Sequence, residues 1–157
     1  MRSGLFGFLV VGALLTTLGT MAVAEDAKDT AIKKDRKQYE GTWRVVTLEV
    51  DGNRMKDEDV KKLTVINGPD GTWSLRSEDQ EISKGTSSID PTKQPKTIDF
   101  TPTEGEGKGN QHLGIYELGT NTRKLCFAPV GKDRPTEFSS TAGSEQILVT
   151  FTREKAK

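Results

Sequence analysis

A chain of 157 residues with 23 Lys and Arg against 23 Asp and Glu carries no one-signed field, which excludes the basic stripe of a nucleic-acid binder and the high net charge of a solvating disordered chain. Cys126 is the only cysteine, so no intramolecular disulfide can form and stability has to come from packing in one modest core.

Taken in chain order, the first element is a leader. Arg2 precedes an apolar run from Leu5 through Val23 that ends in Ala22-Val23-Ala24, the small-x-small pattern of a signal-peptidase site. The pattern predicts a signal peptide over residues 1–24, a mature chain beginning at Glu25, a secreted or periplasmic location, and no integral membrane span once the leader is gone. Removing Arg2 leaves 22 basic against 23 acidic side chains. The residue directly after the cleavage site is Glu25 and not a cysteine, which argues against a lipid anchor. Residues 25–40 are dense in Lys and Asp, with Ala31, Ile32 and Tyr39 as their apolar anchors. They predict a tether that ends in a short helix against one end of the following domain, 41–157.

From Gly41 the pattern becomes alternating, with β-branched and aromatic residues frequent. Eight strands are expected: Gly41 to Val50, Leu63 to Ile66, Thr72 to Ser77, Glu81 to Ser88, Thr97 to Thr101, His112 to Leu118, Arg123 to Ala128 and Gln146 to Arg153. Asn67-Gly68-Pro69-Asp70-Gly71 and Gly119-Thr120-Asn121 have the chemistry of tight hairpins. No amphipathic helix of crossover length separates any two strands, which argues against a parallel sheet. A meander of eight strands removes its two free edges by closing, so the expected fold is all-β, an eight-stranded antiparallel up-and-down barrel with a short N-terminal helix. Loop lengths give the two ends different characters. Asp51 to Lys62, Pro102 to Gln111 and Pro129 to Glu145 are long and share one rim, the expected mouth. The tight hairpins share the other, the expected floor, with Gly41-Thr42-Trp43.

Gly41-x-Trp43 opening the first strand, together with Arg153 closing the last, resembles the lipocalin-like barrels. That resemblance implies that Trp43 closes the floor and that Arg153 packs across it. A closer likeness lies in Gly41-Thr42-Trp43-Arg44-Val45-Val46, Asp90-Pro91-Thr92-Lys93, Pro95-Lys96-Thr97-Ile98-Asp99, Gly114-Ile115-Tyr116, Leu125-Cys126-Phe127-Ala128 and Arg134-Pro135-Thr136-Glu137-Phe138. These segments resemble a small secreted domain family of unknown function expanded in planctomycete bacteria, which implies fold and compartment and supplies no catalytic residues. In the first strand Val45, Thr47 and Glu49 share Trp43's side by strict alternation, while Val46, Leu48 and Val50 form a more apolar opposite side. A bulge that switches parity or a strand curled between two packing surfaces would each resolve this.

The inventory for chemistry is thin. His112 is the only histidine, and it and Cys126 fall on neighbouring strands near the mouth, where contact between them is conceivable but no third orienting group is evident. One His and one Cys do not make a transition-metal site, and Asp57-Glu58-Asp59 lacks the spacing of a calcium loop and reads as a solvated turn. Gly105-Glu106-Gly107-Lys108-Gly109 leads into a strand rather than a helix, so it reads as a loop and not as a phosphate cradle. Phe138 gives the longest loop an apolar anchor, with which it folds either as a lid over the mouth or against the outer wall. No catalytic residue, metal or cofactor is expected.

Leu63, Val65, Trp73, Leu75, Ile98, Phe100, Leu113, Ile115, Leu125, Phe127, Ile147, Val149 and Phe151 alternate at period two and are expected to share an interior, with Tyr116 on the opposite parity to Ile115. Within it, Leu75, Phe100, Ile115, Phe127 and Val149 are the expected lining of a ligand site. The expected function is binding of a small apolar or amphipathic ligand by a non-enzymatic protein. The alternative is a cell-envelope interaction or structural module with a filled core.

Overall fold

The structure, a computed structural model, describes residues 18–155. Helix α1 (Leu18–Tyr39) leads into β1 (Gly41–Val50), followed by a two-residue strand β2 (Asn53–Arg54) and the single-turn helix α2 (Asp57–Val60). Seven strands then meander: β3 (Leu63–Asn67), β4 (Thr72–Ser77), β5 (Gln80–Asp90), β6 (Lys96–Glu104), β7 (His112–Leu118), β8 (Thr122–Phe127) and β9 (Ile147–Arg153). Each pairs antiparallel with its neighbour, and β1 pairs with both β3 and β9. Setting aside β2, which folds back on the end of β1, the sheet is the closed eight-stranded antiparallel up-and-down barrel expected from the alternation. The expected N-terminal helix is present and takes in residues 25–39 of the 25–40 stretch read as a tether. Of the expected leader, residues 1–17 lie outside the described residues, and among the described residues no helix is long and apolar enough to cross a membrane.

The parity conflict in β1 is resolved by a bulge between Val45 and Thr47. Val45 faces Phe151 of β9 and Leu48 faces Val149, so the extra residue Val46 is turned outward, 48% exposed, and the apolar second half of the strand joins Trp43's side. Register then carries this inner face round the barrel. Trp43 pairs with Val65, Val65 with Leu75, Asn67 with Trp73 and Trp73 with Gly85. On the far side Ile98 pairs with Gly114, Gly114 with Phe127, and Phe127 with Ile147.

One strand departs from expectation. In β7 the inner residues are His112, Gly114 and Tyr116, and the outer ones are Leu113 and Ile115. Both faces of this strand are buried, so its composition does not reveal which side is which. Outside, the segment 128–146 covers Ile115 and Cys126, each with no exposed surface. Inside, Gly114 has no side chain because the Phe127 ring occupies the space: a Cβ there would stand 2.3 Å from Phe127 Cδ1. Ile115 is therefore not a lining residue of the interior, and Tyr116, not Ile115, points into it.

Candidate functional site

The floor is assembled around Trp43, which is fully buried. Its indole Nε1 donates to the Tyr39 carbonyl at 2.9 Å, and the Arg153 guanidinium lies 4.2 Å from its ring centre. Arg153 also donates to the Glu40 carbonyl at 2.7 Å and to the Gln38 carbonyl, so the same cation that covers the tryptophan satisfies the C-terminal end of α1. Gly41 adopts φ +114°, and a Cβ there would sit 3.0 Å from Arg153 Nη1. The backbone conformation and the close approach of the arginine both select glycine. Gly41, Trp43 and Arg153 thus meet at one end of the barrel.

Helix α1 closes that end with alternate turns of its inner side. Asp35 is buried, accepting from Tyr116 Oη at 2.8 Å and from Lys96 Nζ at 2.7 Å. Burial and the hydrogen bond to Asp35 push the Tyr116 hydroxyl well above the ordinary phenol range. Arg36 donates to the Ser87 hydroxyl and carbonyl, Gln38 to the Gly119 carbonyl, and Lys28 pairs with Asp90 at 2.8 Å. A buried cation completes the floor. Arg123, 2% exposed, donates to Asn67 Oδ1 at 2.6 Å, and its guanidinium lies 4.1 Å from the Phe151 ring, 4.5 Å from Tyr39 and 4.7 Å from Trp43. Three aromatic faces stand where a carboxylate would be expected. Burial lowers its pKa to about 10, and its Nε has no hydrogen-bond partner among the described residues. Arg123 alternates with Leu125 and Phe127 along β8, so its inward position was written in the sequence.

The mouth half is different. Val60 of α2 is buried in the core, so the loop 51–62 sets one apolar stopper over this end. Asp51 accepts from the backbone of Gly143 at 2.7 Å and of Glu145 at 3.0 Å, tying that loop to the segment 128–146. Below these loops Leu48, Leu63, Val65, Leu75 and Phe100 face inward, as does Trp73 next to the 68–71 hairpin, yet each stays only half-buried. Phe100 is the hub of an aromatic cluster. It stacks on His112 at 4.5 Å with 6° between planes, and meets Phe127 edge-on at 4.6 Å and Trp73 edge-on at 5.6 Å.

Of the five residues expected to line a ligand site, Leu75, Phe100, Phe127 and Val149 share the inner face. Phe127 and Val149 are buried in the core, whereas Leu75 and Phe100 are reached by solvent. Ile115 lies on the outer wall, beside a shallow depression of about 380 Å³ that includes Pro95, Arg134 and Pro135. A second depression, of about 390 Å³, lies between α1 and the 68–71 hairpin and is also outside the barrel.

Cys126 and His112 are on opposite faces of the sheet, so they do not form a nucleophile and base. The Cys126 thiol donates to the Ser139 carbonyl at 3.3 Å, and burial raises its pKa. Phe138 packs on the outer wall, 5.4 Å from Lys124 Nζ, and Arg134 is fastened there to Asp99 at 2.5 Å and to the Gly114 carbonyl at 2.7 Å. The longest loop is thus an outer brace rather than a lid. Asp57 and Asp59 pair with Arg54 and Lys62 at 3.6 and 3.9 Å in the exposed turn formed by α2.

No protein-family model, curated protein or solved structure matches the chain.

Proposed function

We propose that this chain is a secreted or periplasmic, lipocalin-like binding protein that takes a small apolar or amphipathic ligand into the mouth half of its barrel. One observation carries the reading. The floor half is sealed around Trp43, Ile98, Tyr116 and Phe151, while Leu63, Val65, Leu75 and Phe100, inward on β3, β4 and β6, are only half-buried. Half-buried apolar surface facing a common centre is the lining a ligand would complete, gaining about 25 cal/mol for each Å² removed from water. The loops 51–62 and 128–146, joined through Asp51, frame the entrance. The leader pattern at residues 1–24 supports export, and the separation of His112 from Cys126 supports a role without catalysis.

Displaceable binding of a fluorescent lipophile, with a bound species in native mass spectrometry, is the expected result. Leu75→Asp, which places a charge on the inner wall, should weaken it by tenfold or more, whereas Thr136→Arg in the outer depression should leave it unchanged. Absence of both signals would sink the reading.

The sealed floor and the two depressions outside the barrel favour a second reading, an envelope interaction module that uses its outer wall. The reverse pattern, sensitivity to Thr136→Arg and indifference to Leu75→Asp, would support it.

A further inference from the structure

The chemistry of the ligand follows from the one histidine. His112 stands at the mouth end of β7, on the inner face opposite Phe100. Its Nδ1 lies 3.3 Å from the Ala128 carbonyl oxygen. A carbonyl oxygen has no proton to give, so Nδ1 is the donor of that bond, and a neutral imidazole has only one N–H. Nε2 therefore carries the lone pair. Among the described residues nothing bonds to Nε2, although the ring is partly buried. Its orientation is set twice, by the Nδ1 bond and by the parallel stack on Phe100 at 4.5 Å.

An acceptor held still at the edge of an aromatic cluster has the layout by which a mostly apolar pocket reads one polar feature of its ligand. Its neighbours add a shape preference. Trp73 and Phe127 each meet Phe100 at close to right angles, and such surfaces accommodate flat rings by offset stacking or edge contact. We infer that the cup selects planar aromatic compounds carrying a hydrogen-bond donor, a phenolic hydroxyl being the simplest, with Nε2 of His112 as the acceptor and Phe100 and Trp73 as the ring contacts. This rests on the reading of the mouth half as the ligand site.

The test compares 2-naphthol with 2-methoxynaphthalene, two probes of the same ring system of which only the first can donate. Binding is followed by quenching of tryptophan fluorescence. The expected result is a naphthol affinity about tenfold higher, the order of effect for one hydrogen bond gained. His112→Phe keeps an aromatic ring over Phe100 and should equalise the two affinities. Because the chain has a single histidine, a ¹⁵N imidazole spectrum of the unaltered protein gives an independent readout. It should show Nδ1 protonated and Nε2 bare, with the Nε2 resonance moving on addition of naphthol and not of the methyl ether. Equal affinities in the unaltered protein, a proton on Nε2, or a naphthol preference that survives His112→Phe would each overturn the inference while leaving apolar binding in place. If neither probe binds, the binding reading itself falls.

Discussion

Trp43 is held by neighbours of three chemical kinds: a backbone acceptor at Tyr39, the guanidinium groups of Arg153 and Arg123, and the apolar residues of the sealed core. Replacing it by alanine removes all three and leaves a cavity that the surrounding strands cannot collapse, so Trp43→Ala should cost about 3–5 kcal/mol in urea unfolding. It should also loosen α1, whose last turn is fixed to the same residues. Gly114 is a second position at which the local demand is stringent. A Cβ there would meet Phe127 Cδ1 at 2.3 Å and the Cys126 carbonyl oxygen at 2.6 Å, of which the second is backbone. Gly114→Ala should therefore destabilise by about 1–3 kcal/mol, an overpacking cost measurable in the same denaturation assay. Because Phe127 touches Phe100, the displaced ring should also change lipophile binding.

At the scale of elements, α1 is attached largely by polar contacts, and this makes its docking responsive to acid. The Lys28 hydrogen bond, followed by that of Thr92, holds the Asp90 carboxyl down at about 2. An unfolded aspartate titrates near about 3.9. The folded state thus binds fewer protons in this window, and the Asp90 contribution is fully present above about pH 4 and is lost as pH falls toward 2. Asp70, whose pKa is lowered by its bonds to Thr72, acts in the same direction. Thermal unfolding followed from pH 5 to pH 2 should show a shallower acid decline for Asp90→Asn than for the unaltered chain. An unchanged slope would mean that the Lys28 pair contributes nothing in solution, the usual fate of an exposed ion pair.

For the whole molecule, period-two alternation and turn chemistry were sufficient to place the strands and the closed barrel, because a half-buried strand writes its burial into its sequence. The contact of Arg153 with Trp43 was expected from the resemblance to the lipocalin-like barrels, not from alternation. The strand β7 was not legible. Ile115 is apolar because the segment 128–146 covers the outside of the barrel there, and nothing local to His112–Leu118 records that a distant segment lies over it. The same limitation concealed the stack of His112 on Phe100, which depends on register between strands rather than on either strand alone. The half-burial of Leu75 and Phe100 was likewise beyond alternation, which is identical for a filled and an open interior.

Barrel closure also sets an order in time. Arg153 reaches back across 113 residues to the Glu40 carbonyl, and β9 supplies the second edge of β1. Synthesis delivers β9 after every other strand of the barrel, so β1 waits with one side unpaired until β9 has emerged. Folding dominated by such distant pairings runs on the slow side of the small-domain range, in milliseconds to seconds. A nascent chain ending before Ile147 has α1 uncapped, the indole uncovered and two strand margins free, the conditions under which intermolecular pairing competes with closure.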